Sequence, residues 1–61
     1  MSRKHFDAIV GILRNDKPVV GMPNYDARLE QWGITVHSMA TLYQSLNPRF
    51  NYYEFMAACW Q

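Results

Sequence analysis

Cysteine is nearly absent from the 61-residue chain, which contains only Cys59. A single thiol cannot form an intramolecular disulfide. The other soft or borderline metal ligands are His5 and His37, and their positions lack the paired spacing of structural zinc sites. We therefore expect neither a disulfide nor a bound metal. A domain of this length buries only about 60% of the surface that its unfolded chain exposes. These absences favour stabilisation by a second copy or by a partner.

Charge is scarce in the second half of the chain. From Gln31 to the end, only Arg49 and Glu54 are charged. Seven of the nine aromatic residues lie in the same segment: Trp32, Tyr43, Phe50, Tyr52, Tyr53, Phe55 and Trp60. This composition is typical both of protein interfaces and of a small hydrophobic core. The net charge of +1 is too small for the basic field that non-specific nucleic-acid binding needs.

Long hydrophobic runs are also missing. The uncharged segment 31–48 contains eight polar residues, whereas a membrane-spanning helix needs about 20 predominantly apolar ones. Asp7 interrupts the apolar stretch that follows the basic N-terminus, and no small-residue cleavage site comes after it. We therefore expect a cytoplasmic protein without a leader and without membrane association.

Features of a catalytic centre are lacking as well. The glycines at 11, 21 and 33 are scattered and precede no Lys-Ser or Lys-Thr pair, which excludes a phosphate-binding loop. A nucleophilic site would need Cys59 beside a histidine and a carboxylate, but a small apolar residue at the end of a helix is typically packed. We predict no enzymatic activity and no cofactor.

Apolar residues at spacings of three and four indicate helices in three segments. The first runs over 3–14, with Ser2 as its N-cap and Met1 packed on Phe6 as a hydrophobic staple. A loop with two prolines and a glycine, 15–24, follows.

The second helix is predicted over 25–46, where one apolar seam passes through Gly33. Asn24 is its expected N-cap, and the Asn47-Pro48 pair ends it. Gly33 costs about 1 kcal/mol relative to alanine, so a kink or a break there stays open.

The third helix, 52–60, has the most specific start signal in the chain. Asn51 and Glu54 match a capping box, and Phe50 and Phe55 match a hydrophobic staple around it. The sequence therefore predicts a single all-α domain over 1–61: a small three-helix bundle with one long central helix, completed as a dimer.

The two ends of the chain resemble a family of short bacteriophage and prophage proteins. The likeness rests on 2–6 (SRKHF), on 47–50 (NPRF) continued through Phe55, and on 57–59 (AAC). The family has no established activity, so the resemblance implies a phage or mobile-element origin and no particular chemistry. Tyr52 and Tyr53 replace the charged surface that relatives carry on the last helix.

The last helix carries more aromatic area than one face can bury. At roughly 100° per residue, Phe55 and Cys59 cannot share a face with all the other large side chains. Tryptophan and tyrosine are frequent interface hot spots. We therefore predict a protein interface formed by Tyr52, Tyr53, Met56 and Trp60.

A basic cluster at the N-terminus offers a weaker candidate. Arg3 and Lys4, together with Arg49, could contact an anion or nucleic acid, and Arg14 could add to them. A DNA-recognition helix, however, needs side chains that read base edges, and the last helix presents none.

The first functional hypothesis is a phage-derived helical module that binds a host or phage protein and forms a homodimer. An inhibitor of a host defence protein, such as an anti-CRISPR, is one concrete form of it. The alternative is a small nucleic-acid-binding accessory protein.

Overall fold

The computed structural model describes residues 2–61 and contains three helices: α1 (Arg3–Asn15), α2 (Tyr25–Leu46) and α3 (Tyr52–Trp60). No strand occurs within this range. The all-helical class predicted from the sequence is therefore confirmed, and the arrangement fits a small helical bundle. The predicted staple by Met1 falls outside the described residues.

Helix α1 begins and ends with backbone groups that are satisfied locally. The Ser2 hydroxyl accepts a hydrogen bond from the His5 N–H at 3.3 Å, which confirms Ser2 as the N-cap. At the other end the Asp16 N–H donates to the carbonyls of Ile12 and Leu13, at 3.1 and 3.2 Å. These bonds carry α1 through Asn15, one residue into the predicted loop.

Helix α2 continues for 22 residues without a break at Gly33. The prediction that the Asn24 side chain caps it is wrong. Asn24 has a left-handed backbone (φ 58°), and its side chain makes no capping hydrogen bond. Asparagine is one of the few residues that tolerate this conformation, so its contribution is to the loop geometry. Asn47 ends α2 in an extended conformation before Pro48, as the sequence predicted.

Helix α3 starts as its cap signal predicted, with one difference. Asn51 Oδ1 accepts the Glu54 N–H at 3.0 Å, and the rings of Phe50 and Phe55 lie 5.4 Å apart, so the cap and the staple are confirmed. The reciprocal half of the capping box is absent. The Glu54 carboxylate accepts a hydrogen bond from Arg3 of α1 instead.

Helix α3 is the one that packs against both other helices, while α1 and α2 touch each other less. The buried core draws three side chains from each of α1 and α2, two from α3 and one from the turn before α3. It consists of Phe6, Val10, Leu13, Trp32, Val36, Ala40, Phe50, Phe55 and Cys59. The shortest helix therefore holds the two longer ones together.

The first prediction concerns the start of α3. Asn51→Ala should lower the free energy of unfolding by about 1 kcal/mol, because the Glu54 N–H loses its acceptor. Thermal melting followed by circular dichroism measures the loss. Asn24→Gly is the control, since that asparagine makes no cap bond and glycine accepts its positive φ. Equal melting temperatures for the native chain and Asn51→Ala would show that the bond is not stabilising.

Candidate protein-interaction surfaces

The four interface residues predicted on α3 occupy two different environments. Tyr53 projects into solvent with 81% of its surface exposed. Tyr52 is half-buried, and its hydroxyl lies 2.6 Å from His37 Nδ1 on α2, with the two rings edge to face. Tyr52 is thus engaged within the chain, whereas Tyr53 is available to a partner.

Met56 and Trp60 also make contacts within the chain. Met56 lies partly buried against the core, and the Trp60 ring packs edge to face on Trp32 with centroids 4.8 Å apart. Tyr52 and Met56 are therefore partly buried and Trp60 contacts α2, while an interface formed by these residues stays a prediction. Because α3 packs against two helices, side chains on more than one of its faces are in contact with the rest of the chain. Trp60 keeps 40% of its surface exposed.

Gly33 is the point of closest approach between α2 and the Trp60 ring. A Cβ atom at this position would lie 3.2 Å from Trp60 Cζ2, closer than an ordinary van der Waals contact. The glycine that left the continuity of α2 open in the sequence is thus explained by packing, since it makes room for the indole.

The second prediction is that Gly33 and Trp60 are energetically coupled. In a Trp60→Ala background, Gly33→Ala should stabilise by up to about 1 kcal/mol, the helix-propensity difference. With Trp60 present the gain should be smaller, because the new methyl group displaces the indole. A double-mutant cycle from urea unfolding measures this. Gly11→Ala is the control, because no atom lies within 4 Å of its Cβ position and its effect should not depend on Trp60.

Lys17 connects the loop after α1 to the tryptophan pair. Its ammonium group donates to the Trp60 carbonyl at 3.0 Å and lies 5.7 and 5.3 Å from the ring centroids of Trp32 and Trp60. Cations over indole faces are attracted by the ring quadrupole. The C-terminal end of α3 is therefore held by the loop as well as by α2.

The structure brings two of the three predicted anion contacts, Arg3 and Arg49, into one cleft and pairs Arg3 with acidic side chains. Arg3 forms ion pairs with Glu54 and with Asp7, the second at 3.3 Å. The hydrogen bond to Glu54, followed by the charge of Asp7, raises the pKa of the Arg3 guanidinium. Arg49 lines the same shallow cleft as Arg3 and Glu54, whereas Lys4 is exposed outside it. An acidic side chain in the cleft weakens its attraction for a phosphate.

Cys59 is completely buried in the core. Burial raises the pKa of its thiol, and the charge of Arg14 opposes that shift weakly. A buried, protonated thiol is a poor nucleophile because the thiolate is the reactive form. Cys59 therefore has the environment of a packing residue.

The third prediction follows from this burial. Because the folded state holds the Cys59 proton more tightly than the unfolded chain, its contribution to stability is complete below the ordinary thiol pKa of about 8.5 and declines above it. Unfolding free energies from pH 7 to 10 should fall more steeply for the native chain than for Cys59→Ala. All other ionisable groups are the same in both proteins, so the difference isolates the thiol. Parallel curves would show that Cys59 is no more buried than in the unfolded chain.

An apolar groove between α1 and α2 is the surface that the sequence did not predict. Its volume is about 420 Å³, and it is lined by His5, Ile9, Tyr43, Leu46, Asn47 and Phe50. None of these residues carries a formal charge at pH 7 with histidine neutral. Leu46 is 72% exposed, and Ile12 and Leu42, one helical turn from Ile9 and Leu46, are also exposed.

The sequence pattern had assigned the aliphatic walls of this groove to the core. Ile9 and Leu46 belong to the apolar seams of their helices, and spacing alone cannot tell a packed residue from one at the open edge of a seam. The signal that was available is Asn47-Pro48, which ends α2 immediately after Leu46 and leaves no further turn to cover it.

Comparison of the chain with models of known protein families, with curated proteins and with solved structures finds no match. The resemblance to phage proteins therefore stays a prediction. Among the helices described, none combines the length and hydrophobicity required to cross a membrane.

Proposed function

We propose that this chain acts by binding another protein, as a small helical interaction module without a catalytic centre of its own. The observation that supports the proposal is the apolar groove between α1 and α2. In a monomer, exposed aliphatic side chains around an uncharged cavity are unfavourable, and such patches mark interaction sites.

The groove suits an amphipathic helix of the partner. A helix that lies in a groove inserts apolar side chains at spacings of three, four and seven. The walls here are two helices that supply Ile9 on one side and Tyr43 and Leu46 on the other, with the exposed side chains of Ile12 and Leu42 one turn away. His5 and Asn47 at the edge offer polar groups that can orient the bound segment.

The proposal includes the phage or mobile-element origin that the sequence resemblance implies. In it the partner is a host or phage protein in the cytoplasm of the infected cell, and inhibition of a host defence protein, including an anti-CRISPR role, is one concrete outcome. We also propose that the module is a homodimer. Tyr53, with the exposed edge of Trp60, is a further contact region on α3.

The fourth prediction tests the groove. Leu46→Lys should abolish capture of a partner that the native chain retains from host lysate, because it places a charge in the apolar surface. Its fold should survive, because Leu46 is already 72% exposed and a lysine suits the last turn of a helix.

Val20→Lys is the matched control, since it also converts an exposed aliphatic residue into lysine but lies in the loop before α2. The supporting result is one protein captured by the native chain and by Val20→Lys and lost with Leu46→Lys. Equal capture by all three, with unchanged circular dichroism, would show that the groove is not the binding site.

A further inference from the structure

We propose that two copies of the chain associate through the outer face of α2, antiparallel, with the two-fold axis passing beside Ser38. This inference rests on the self-association part of the proposed function and names its surface. The face lies opposite the side of α2 that carries Trp32, Val36 and Ala40. It consists of Gln31, Ile34, Thr35, Ser38, Thr41, Leu42 and Ser45, all of them exposed.

This face lacks the charges expected of a solvated helix. Surfaces of soluble domains carry roughly 25–35% charged residues. The segment 31–48 has none, although it supplies most of α2. Ile34 and Leu42 on the face are 52% and 53% exposed. A helix surface that is uncharged and partly apolar loses little on leaving water.

The hydroxyl groups on the face reduce that cost further. Thr35 Oγ1 donates to the Gln31 carbonyl at 3.1 Å, and Ser45 Oγ donates to the Leu42 carbonyl at 2.7 Å. Burying a polar group is expensive mainly when it loses its hydrogen bond to water without replacement. These two hydroxyls already donate within their own helix, so an apolar partner surface does not leave their hydrogens unpaired.

The face is complementary to itself in the antiparallel direction. Ile34 and Leu42 lie equally far before and after Ser38, and so do Gln31 and Ser45. A two-fold axis beside Ser38 therefore brings Ile34 of each copy to the level of Leu42 of the other. The two small Ser38 side chains meet at the centre and allow the helices to approach closely. A symmetric interface of this kind uses one patch on both subunits.

Charge at the ends of α2 favours the same direction. The charged residues of α2 are Asp26, Arg28 and Glu30, which precede the face and sum to −1. In the antiparallel pair the negative segment of one copy lies at the opposite end of the interface from that of the other. A parallel pair would place the two negative ends together.

The size of the face sets the strength of the dimer. The face spans 31–45 and is about 22 Å long at 1.5 Å per residue, so with a helix width of about 11 Å one copy contributes roughly 240 Å² of projected area. Stable interfaces bury about 800 Å² per partner, and weak reversible ones bury less. We therefore expect a dimer that dissociates on dilution.

The fifth prediction is tested first by sedimentation equilibrium of the purified protein over a hundredfold concentration range. The native chain should show a reversible monomer–dimer equilibrium. Ile34→Lys should raise the dissociation constant at least about tenfold, because it places an unpaired charge in each copy's contact. Val20→Lys and Tyr53→Lys should leave it unchanged, since neither residue lies on the α2 face.

Cross-linking then tests the two-fold position. Ser38→Cys should form a disulfide-linked dimer under mild oxidation, whereas Gln44→Cys, exposed on another side of α2, should not. The native chain controls for Cys59, which is buried.

Each contrary outcome has a distinct meaning. A native chain that is monomeric at every concentration overturns self-association itself. If the dimer persists in Ile34→Lys and does not cross-link through Ser38→Cys, the outer face of α2 is not the dimer interface. If that dimer is then lost in Tyr53→Lys, the interface lies on α3. Neither outcome bears on the groove, which Leu46→Lys tests separately.

Discussion

The hydrogen bond from the Trp32 indole to the Leu13 carbonyl is the contact on which the rest of the bundle depends. It is 2.9 Å long, it is buried, and it gives the Leu13 carbonyl a second donor beside the Asp16 N–H, which lies 3.2 Å away. The same indole packs on Trp60 at the end of α3 and lies beneath the ammonium group of Lys17. One side chain therefore joins all three helices and the loop. In a chain without a disulfide, this polar contact also fixes how far α2 lies along α1, which apolar packing alone specifies poorly.

At the opposite end of the bundle, aromatic rings take the same role without polar contacts. Phe55 is fully buried, and its ring lies 5.6, 5.4 and 5.9 Å from those of Phe6, Phe50 and Tyr43. Aromatic pairs in tilted and edge-to-face arrangements contribute beyond the area that they bury. The nine residues of α3 pack against both α1 and α2. A groove between α1 and α2 stays open, and the residues on the outer face of α2 are exposed.

Local signals in the sequence predicted the helices well, because caps and apolar periodicity act within a few residues. Ser2, Asn51 and the Asn47-Pro48 pair each act through neighbouring backbone groups, so their effects could be read without the fold. The Asn24 cap failed for a local reason, its left-handed backbone, whereas other contacts that the sequence did not predict involve distant partners. Glu54 pairs with Arg3 across 51 residues of chain, and Tyr52 meets His37 across 15. The sequence also indicated surplus aromatic area on α3 but not the room that Gly33 provides for Trp60. Of the four residues expected at an interface, Tyr52 and Met56 are therefore partly buried within the chain, while Tyr53 and part of Trp60 stay exposed.

The two proposed surfaces lie on adjacent sides of α2, and this placement has a consequence for binding. Leu42 lies between the two surfaces. It is one helical turn from Leu46, which lines the groove, and one turn from Ser38, which lies on the outer face. An antiparallel pair of α2 helices would leave a groove open on each copy, related by the two-fold axis. A dimer with two equivalent grooves can hold a symmetric partner at two points, and the second contact then forms at a high effective concentration. A chain of this size buries little area at any single site. Pairing through one face while binding through another allows two small interfaces to act together, so modest affinity at each groove can still give tight association with a partner that is itself a dimer.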